Sequence, residues 1–335
     1  MADTPTRIYI GKAATPVSPQ APFQGAPSFV SRLIEITVTL TPNQQTGQPN
    51  TFAGTNSDTV TFSGFRTMVR IENAGGVTAH AGVDIFGLSP SFMNQLSTLG
   101  MIFDMVQKNT ITISAGDSNG VSPVFSGTIA QAFANYNSLP SASMHFECQV
   151  GLINGVVPVA ASSFPQTTSV ATIMAGFANQ LQPPVGFENN GVTATLPSCY
   201  FPGSIRDQIR EVAEHAHINA EILPGSGGQQ VLAIWPMGGS RTSLAGGNIP
   251  LVSKDTGMIL TPSFGPNGFA IVRTLFNPQI AFGGSIQVQS GVVPQLNRQW
   301  VVMRMGLALD AFVPKGKWEQ SLVCYPKGFV APPLP

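Results

Sequence analysis

Chemistry in this chain would have to start from a few scattered carboxylates and imidazoles. Glu211, Glu214, His215 and His217 fall close together, and Glu211 with His215 is an i, i+4 pair that could face one ligand from a helix. His215 and His217, two residues apart, point to different sides, and no HExxH, cysteine pair or aspartate cluster completes a metal site. The quartet reads as a solvated helix face. His145 and Glu147 share one face of a predicted strand, and HFEC holds an H-x-E triplet, but the PCxxC segment of a zinc deaminase is absent. Two spaced carboxylates could cut a glycan, which makes Asp84, Asp104, Asp117 and Asp310 candidates. Each sits in a strand or turn where a cap, an Asx-turn or a surface role suffices. No catalytic, cofactor-binding or metal-ligating residue is assigned, and no cofactor is expected.

Phosphate chemistry fares no better. GxxxxGK[ST], GxSxG and GxGxxG do not occur in a fitting context, and the doublets Gly75-Gly76, Gly227-Gly228, Gly238-Gly239, Gly246-Gly247 and Gly283-Gly284 lie between predicted strands, where a positive φ accounts for them. Phenylalanine is abundant at 21 residues with no basic groove beside it, which favours core and subunit contact over base stacking. Cys148, Cys199 and Cys324 are odd in number and lack CxxC spacing, so they read as small buried hydrophobes in a reducing compartment.

The composition points to association. Charged residues are 10% of the 335, against roughly 25% in average soluble domains, and sixteen basic side chains balance sixteen acidic ones. So sparse an ionic coat fits a surface largely covered by other protein. A secreted or cell-surface β protein rich in Thr, Ser, Asn and Gln would look similar. Basic residues do not cluster beyond the Lys315, Lys317 pair, which argues against a dedicated nucleic-acid binder while leaving a conduit for DNA possible. The amino terminus shows no secretory signal, and no segment reaches the apolar length of a membrane helix, so synthesis and assembly in the cytoplasm without membrane insertion are expected.

The elements that would position these residues are mostly strands. The length predicts two domains, or two plus an insertion. Residues 1–28, with five prolines, read as an extended N-terminal arm that orders, if at all, on a neighbour. Residues 29–160 read as a first antiparallel β-barrel. Ile34, Ile36, Val38 and Leu40 alternate with Glu35, Thr37 and Thr39; strands follow over Val60–Phe65 and Thr67–Glu72, and another runs through Val83 and Ile85. Ser89-Pro90 opens a short helix with Phe92, Met93 and Leu96 as its buried stripe. Asn109–Ser114 alternates, Ala115–Gly120 supplies a turn, Val124 to Gln131 alternates again, and Ser141–Ile153 closes the unit. Residues 161–240 read as an α+β insertion. One helix carries Val170, Ile173, Met174, Phe177 and Leu181 and stops at Pro183-Pro184; a second is capped by Ser204 with Asp207. Residues 241–326 return to β texture, with a turn at Asn267-Gly268 and late strands over Trp300–Leu309 and Trp318–Tyr325; residues 327–335 form a tail. The fold class is mainly β with an α+β insertion.

Two stretches carry a resemblance. The order strand, IFGL, short helix, strand, AGD turn, VFSGTI between Ala81 and Phe133 resembles the first barrel of phage tail baseplate hub proteins, which join the tail tube to the central spike. Asp255-Thr256-Gly257, Pro262, Asn267-Gly268, Leu275-Phe276-Asn277-Pro278 and Trp318 match the pattern of that family's second barrel. The resemblance spans roughly residues 30–325 and implies two tube-like barrels per subunit. A homotrimer would then present six similar units to a six-fold tail tube and three-fold symmetry to the spike, with DNA and the tape-measure protein passing through the lumen. The implied partners are further copies of the chain, a tail tube or distal tail protein, and the spike. A tail-tube, distal-tail or spike-base subunit and a tail-associated cell-wall hydrolase are the alternatives.

Overall fold

The computed structural model describes residues 8–10, 31–42, 50–52, 57–75, 79–97, 109–117, 119–137, 141–225, 229–241, 248–265 and 268–328. The first β region comprises β1 (Ile8–Ile10), β2 (Leu33–Thr39), β3 (Thr59–Ser63), β4 (Arg66–Asn73), β5 (Ala79–Phe86), β6 (Thr110–Asp117), β7 (Gly120–Asn135) and β8 (Ser143–Gln149). They pair in the order β1-β3-β2-β6-β7-β8-β5-β4. Alternation puts Ile34, Ile36, Val38, Ile111 and Ile113 into the core and the intervening polar residues on the other face. The helix α1 (Pro90–Leu96) is capped by the Ser89 hydroxyl and buries Met93 and Leu96, while Phe92 packs edge-on to Phe62 with ring centroids 5.8 Å apart.

Several local expectations shift here. The predicted turn over Ala115–Gly120 is shorter, because β6 runs on to Asp117 and β7 begins at Gly120. Gly116 permits this: a Cβ there would lie 2.0 Å from the Gly120 carbonyl oxygen. Alternation along β7 breaks at a bulge between Ile129 and Gln131, so the inward set changes from Phe125, Gly127 and Ile129 to Ala132. The last predicted strand ends at Gln149, where Gly151 at φ 63 turns the chain into α2 (Leu152–Val156). Within the arm, Ile8–Ile10 pairs parallel with Val60–Phe62 of the same chain.

The middle of the chain holds β9 (Ser162–Phe164), β10 (Thr168–Ser169), β11 (Gly186–Asn189), β12 (Thr195–Leu196), β13 (Cys199–Phe201), β14 (Ile218–Pro224) and β15 (Gln230–Pro236), with α3 (Val170–Gln180) and α4 (Ile205–His215). The stripe Val170, Ile173, Met174, Phe177, Leu181 is buried as its spacing predicts, and Ser204 with Asp207 forms a reciprocal capping box. These helices pack on the three-stranded sheet β11-β15-β14, and their buried faces join the core of the first β region in one cluster.

The chain ends with β16 (Leu251–Val252), β17 (Ser263–Phe264), β18 (Ala270–Leu275), β19 (Ser285–Val288), β20 (Gln299–Ala311) and β21 (Trp318–Pro326). Gly268, after the predicted turn residue Asn267, has φ 74, and Asn267 itself lies outside the described residues. The contacts are not all antiparallel, since β16 runs parallel to β19. Trp300 is the largest wholly buried side chain of a second core that includes Val252, Val272, Ile286, Val288, Leu296 and Leu322.

β20 joins the two regions. Its first half pairs with β19 and packs Trp300 and Val302 into the second core; its second half pairs with β4 and packs Leu307, Leu309 and Ala311 into the first. A bulge between Val302 and Arg304 shifts the inward set from even to odd positions, so the same face of the strand serves both cores. Strand pairing therefore runs from β1 through β4, β20 and β21 to β17 in one mainly β sheet, and ring-closing pairs for two separate barrels are absent among the described strands.

Candidate functional site

The quartet on α4 does not converge. Glu214, His215 and His217 are exposed, Glu214 lies 3.9 Å from Arg210, and His215 packs on the Phe201 ring at 6.1 Å. The Asp117 carboxylate accepts a 2.7 Å bond from the Asn119 backbone, an Asx-turn that shapes the β6–β7 hairpin. Asp310 is 5% exposed and structural: Arg70 donates to it at 2.6 Å and the Lys317 backbone N–H at 2.7 Å. Asp104 lies outside the described residues.

Asp84, His145 and Glu147 do come together. β5 and β8 pair so that His145 stands opposite Asp84, and directly opposed residues point the same way. His145 Nδ1 lies 2.9 Å from Asp84 Oδ1, and Nε2 lies 2.9 Å from Glu147 Oε1. With both ring nitrogens donating, the imidazole is a cation held between two carboxylates. Its pKa rises from 6.5 to about 9, chiefly through the Asp84 hydrogen bond, with burial opposing and Glu147 assisting. An imidazolium with neither nitrogen free cannot act as a general base, and both carboxylates are engaged by it. Among the described residues no group of three His, Cys, Asp or Glu could hold a metal ion.

The trio belongs to a larger surface. Register places Asp310, Met68, Asp84, His145 and Phe133 in one row across β20, β4, β5, β8 and β7, and Ala308, Arg70, Gly82, Glu147 and Gln131 in the next. Within these two rows the charges pair: Arg70 with Asp310, His145 with Asp84 and Glu147. The same face continues over β3, β2, β6 and β7 as hydroxyls. Thr61, Thr37, Thr112 and Ser126 form a row, with oxygens 2.9 Å apart between Thr61 and Thr37 and 3.2 Å apart between Thr112 and Ser126. Rows whose polar groups are spent on each other suit a broad contact or a neutral wall better than a reaction centre.

One ion pair ties the insertion to the second β region. Arg241 is 2% exposed at its side chain and grips Glu188 on β11 with two bonds, Nε to Oε1 at 3.0 Å and Nη2 to Oε2 at 2.7 Å, while its backbone N–H reaches the Gly283 carbonyl at 2.7 Å. Burial pushes the Glu188 carboxyl up, but Arg241, helped by Asn190, outweighs it and leaves the pKa below the usual range. Neither residue stood out in the sequence, since 53 positions separate them. Glu188 and Arg241 carry no spacing signal, and only the fold pairs them.

The charged and hydroxyl rows lie on a β scaffold in which one sheet runs through two cores. The sequence pattern of the Baseplate hub gp41 family matches residues 52–311, and the chain belongs to that family. It is accordingly a structural component of a phage tail. Solved structures agree on the fold. The tail protein from Neisseria meningitidis MC58 superposes with a TM-score of 0.58 at 9% identity over 88% of this chain and 97% of that one. The 43 kDa tail protein of prophage MuSo2 from Shewanella oneidensis gives 0.50 at 8% identity over 88% and 98%. The E. coli c3393 protein, a component of the type VI secretion system described as similar to T4 bacteriophage tail proteins gp27 and gp5, gives 0.53 at 10% identity over 81% and 76%. No curated protein matches the chain by sequence. No described helix is long and apolar enough to cross a membrane.

Proposed function

We propose that the chain forms a homotrimeric baseplate hub ring, assembled in the host cytoplasm, that adapts a six-fold tail tube or distal tail protein to a three-fold spike and lines the channel for DNA and the tape-measure protein. The carrying observation is β20, which binds two β regions with separate cores into one sheet, so that each subunit offers two β units in fixed relation. Three copies then supply six units, which resolves the symmetry mismatch by duplication. The units are residues 29–160 and 241–326, with 161–240 as the insertion between them, 1–28 as an arm and 327–335 as a tail. The sparse charge of 10% supports burial of much of the surface in the ring, and the hydroxyl and self-paired rows support a wall that lets a polyanion pass without holding it. Partners at the spike are supported by the fold shared with the c3393 protein, whose description cites similarity to gp27 and gp5.

Catalysis has no part in this reading. Native mass spectrometry, with particle images of the purified protein, tests it: three copies in a ring with a central opening are expected, and a six-membered ring or a helical polymer would reassign the chain to the tube or distal tail. Clearing of cell-wall material in a zymogram, abolished by replacing one Asp or Glu, would overturn the non-enzymatic reading.

A further inference from the structure

Lys315 and Lys317, an isolated basic pair in the sequence, acquire company in the fold. Residues 312–317 form the turn between β20 and β21. The register of β20 on β4 sets Ala311 opposite Thr67, which brings this turn beside Arg66 at the start of β4. Arg32 reaches it from the entry to β2, its Nη1 donating to the Gly316 carbonyl at 2.7 Å. The two carboxylates that flank the turn are already held by other cations, Asp310 by Arg70 at 2.6 Å and Glu319 by Arg273 at 2.9 Å, with Lys317 4.0 Å from Glu319. Arg32, Arg66 and Lys315 form no ion pair among the described residues.

The turn also displays an aromatic ring. Phe312 is 53% exposed with φ 54, and Lys315, also exposed, has φ 56. Both backbones are left-handed, a conformation that a side chain disfavours and glycine takes freely. Burial offsets the strain at neither residue, so it points to work done outside the subunit's own fold. The guanidiniums beside the ring are preset: Arg66 stacks on Phe86 at 4.4 Å and Arg32 lies over Trp318 at 5.6 Å. Stacking fixes the plane of each group, and exposed Arg66 keeps its N–H edge open to a carboxylate.

We propose that the β20–β21 turn docks an acidic segment of a partner protein, one that carries an apolar side chain among its carboxylates. The carboxylates meet Arg32, Arg66 and Lys315, and the apolar side chain covers Phe312. Charge complementarity selects this class of partner: cations without carboxylates call for an anion, and an exposed ring for an apolar neighbour. A single-stranded nucleic acid would need a basic groove and successive rings, whereas the turn offers one ring at its tip. Binding of the segment stands on the turn alone; its assignment to an adjoining tail protein rests on the hub reading.

The probe is a fluorescein-labelled peptide with a Leu-Phe pair flanked on each side by two glutamates, titrated with the full chain and followed by anisotropy at low salt. The same peptide with glutamine for glutamate and a labelled oligodeoxythymidine are the controls. Saturable binding with a Kd on the order of 0.1–1 mM is expected, weakened roughly tenfold by Phe312→Gly and about threefold each by Lys315→Gly and Arg66→Gln. Glycine relieves the left-handed strain, so Phe312→Gly and Lys315→Gly should melt no lower than the parent while binding more weakly. Equal binding of the glutamine peptide, unchanged affinity in the three variants, or no saturation by ~5 mM overturns the site. So does a lowered melting temperature in both glycine variants, which would give the two residues to the fold, or tighter binding of the oligonucleotide that the variants also weaken. A copy number other than three would sink the hub reading and leave these binding results standing, so the two failures are separable.

Discussion

The two β regions reach similar texture by different routes. In the first, seven strands, β2 to β8, are joined by six antiparallel pairings with registers of five or more residues, and the core continues into two helices of the insertion. In the second, short strands gather around β20, one contact is parallel, and a single indole fills the centre, its N–H donating to the Leu296 carbonyl at 2.9 Å. A broad core spreads its stability over many side chains. A small one concentrates it in few, and the second region depends on the first through the shared strand.

Removing the concentrated element should have the largest effect. Trp300→Ala is expected to cost about 3–5 kcal/mol, with amide exchange accelerating over β16, β19 and β21 while β2, β6 and β8 stay protected; uniform loss of protection would show that the cores are not separable. Arg241→Met probes the link between the insertion and the second region. Because Glu188 is 30% exposed at its side chain, the cost should fall at or below the low end of the ~3–5 kcal/mol for breaking a buried pair, read by denaturant unfolding. The double variant Arg241→Met, Glu188→Met should recover much of that loss.

The charged face gives a smaller, pH-dependent effect. His145 binds its proton more tightly folded than unfolded, so its contribution is complete below pH 6.5, declines between 6.5 and about 9, and is gone above. The shift corresponds to a few kcal/mol at most, at about 1.4 per pH unit, before solvent screening reduces it. His145→Gln should flatten the fall in melting temperature across that window; an unchanged slope would remove His145 as its cause. On the hydroxyl face, Thr37→Val keeps the β-branched shape and loses one bond to Thr61, so the expected change is below ~1 kcal/mol in the same unfolding assay.

Much of this organisation is legible in the sequence where the signal is local. The stripe from Val170 to Leu181, the Ser204–Asp207 cap and the alternation of Ile34, Ile36 and Val38 each report their own backbone, because periodicity and capping act over a few residues. The ends of elements were less legible. Gly116 let a strand continue through a predicted turn, and bulges near Ala130 and Met303 changed which residues face inward, since both depend on the partner strand. Cys148 and Cys324 are buried as read, with thiols pushed up by desolvation, whereas Cys199 is only half-buried on β13.

The face was the least legible part. His145 and Glu147 share an alternation that the sequence displays, but Asp84 joins them from 61 residues away through the register of β5 on β8. Sequence alone determined that this chain is mainly β, poorly charged and without a complete catalytic signature, because composition and short-range pattern decide those properties. Which strands meet, that β20 serves two cores, and that Glu188 finds Arg241 and Asp84 finds His145 were decided only by tertiary structure. Those pairings join residues far apart in the chain, and nothing in a local pattern encodes the register that brings them together.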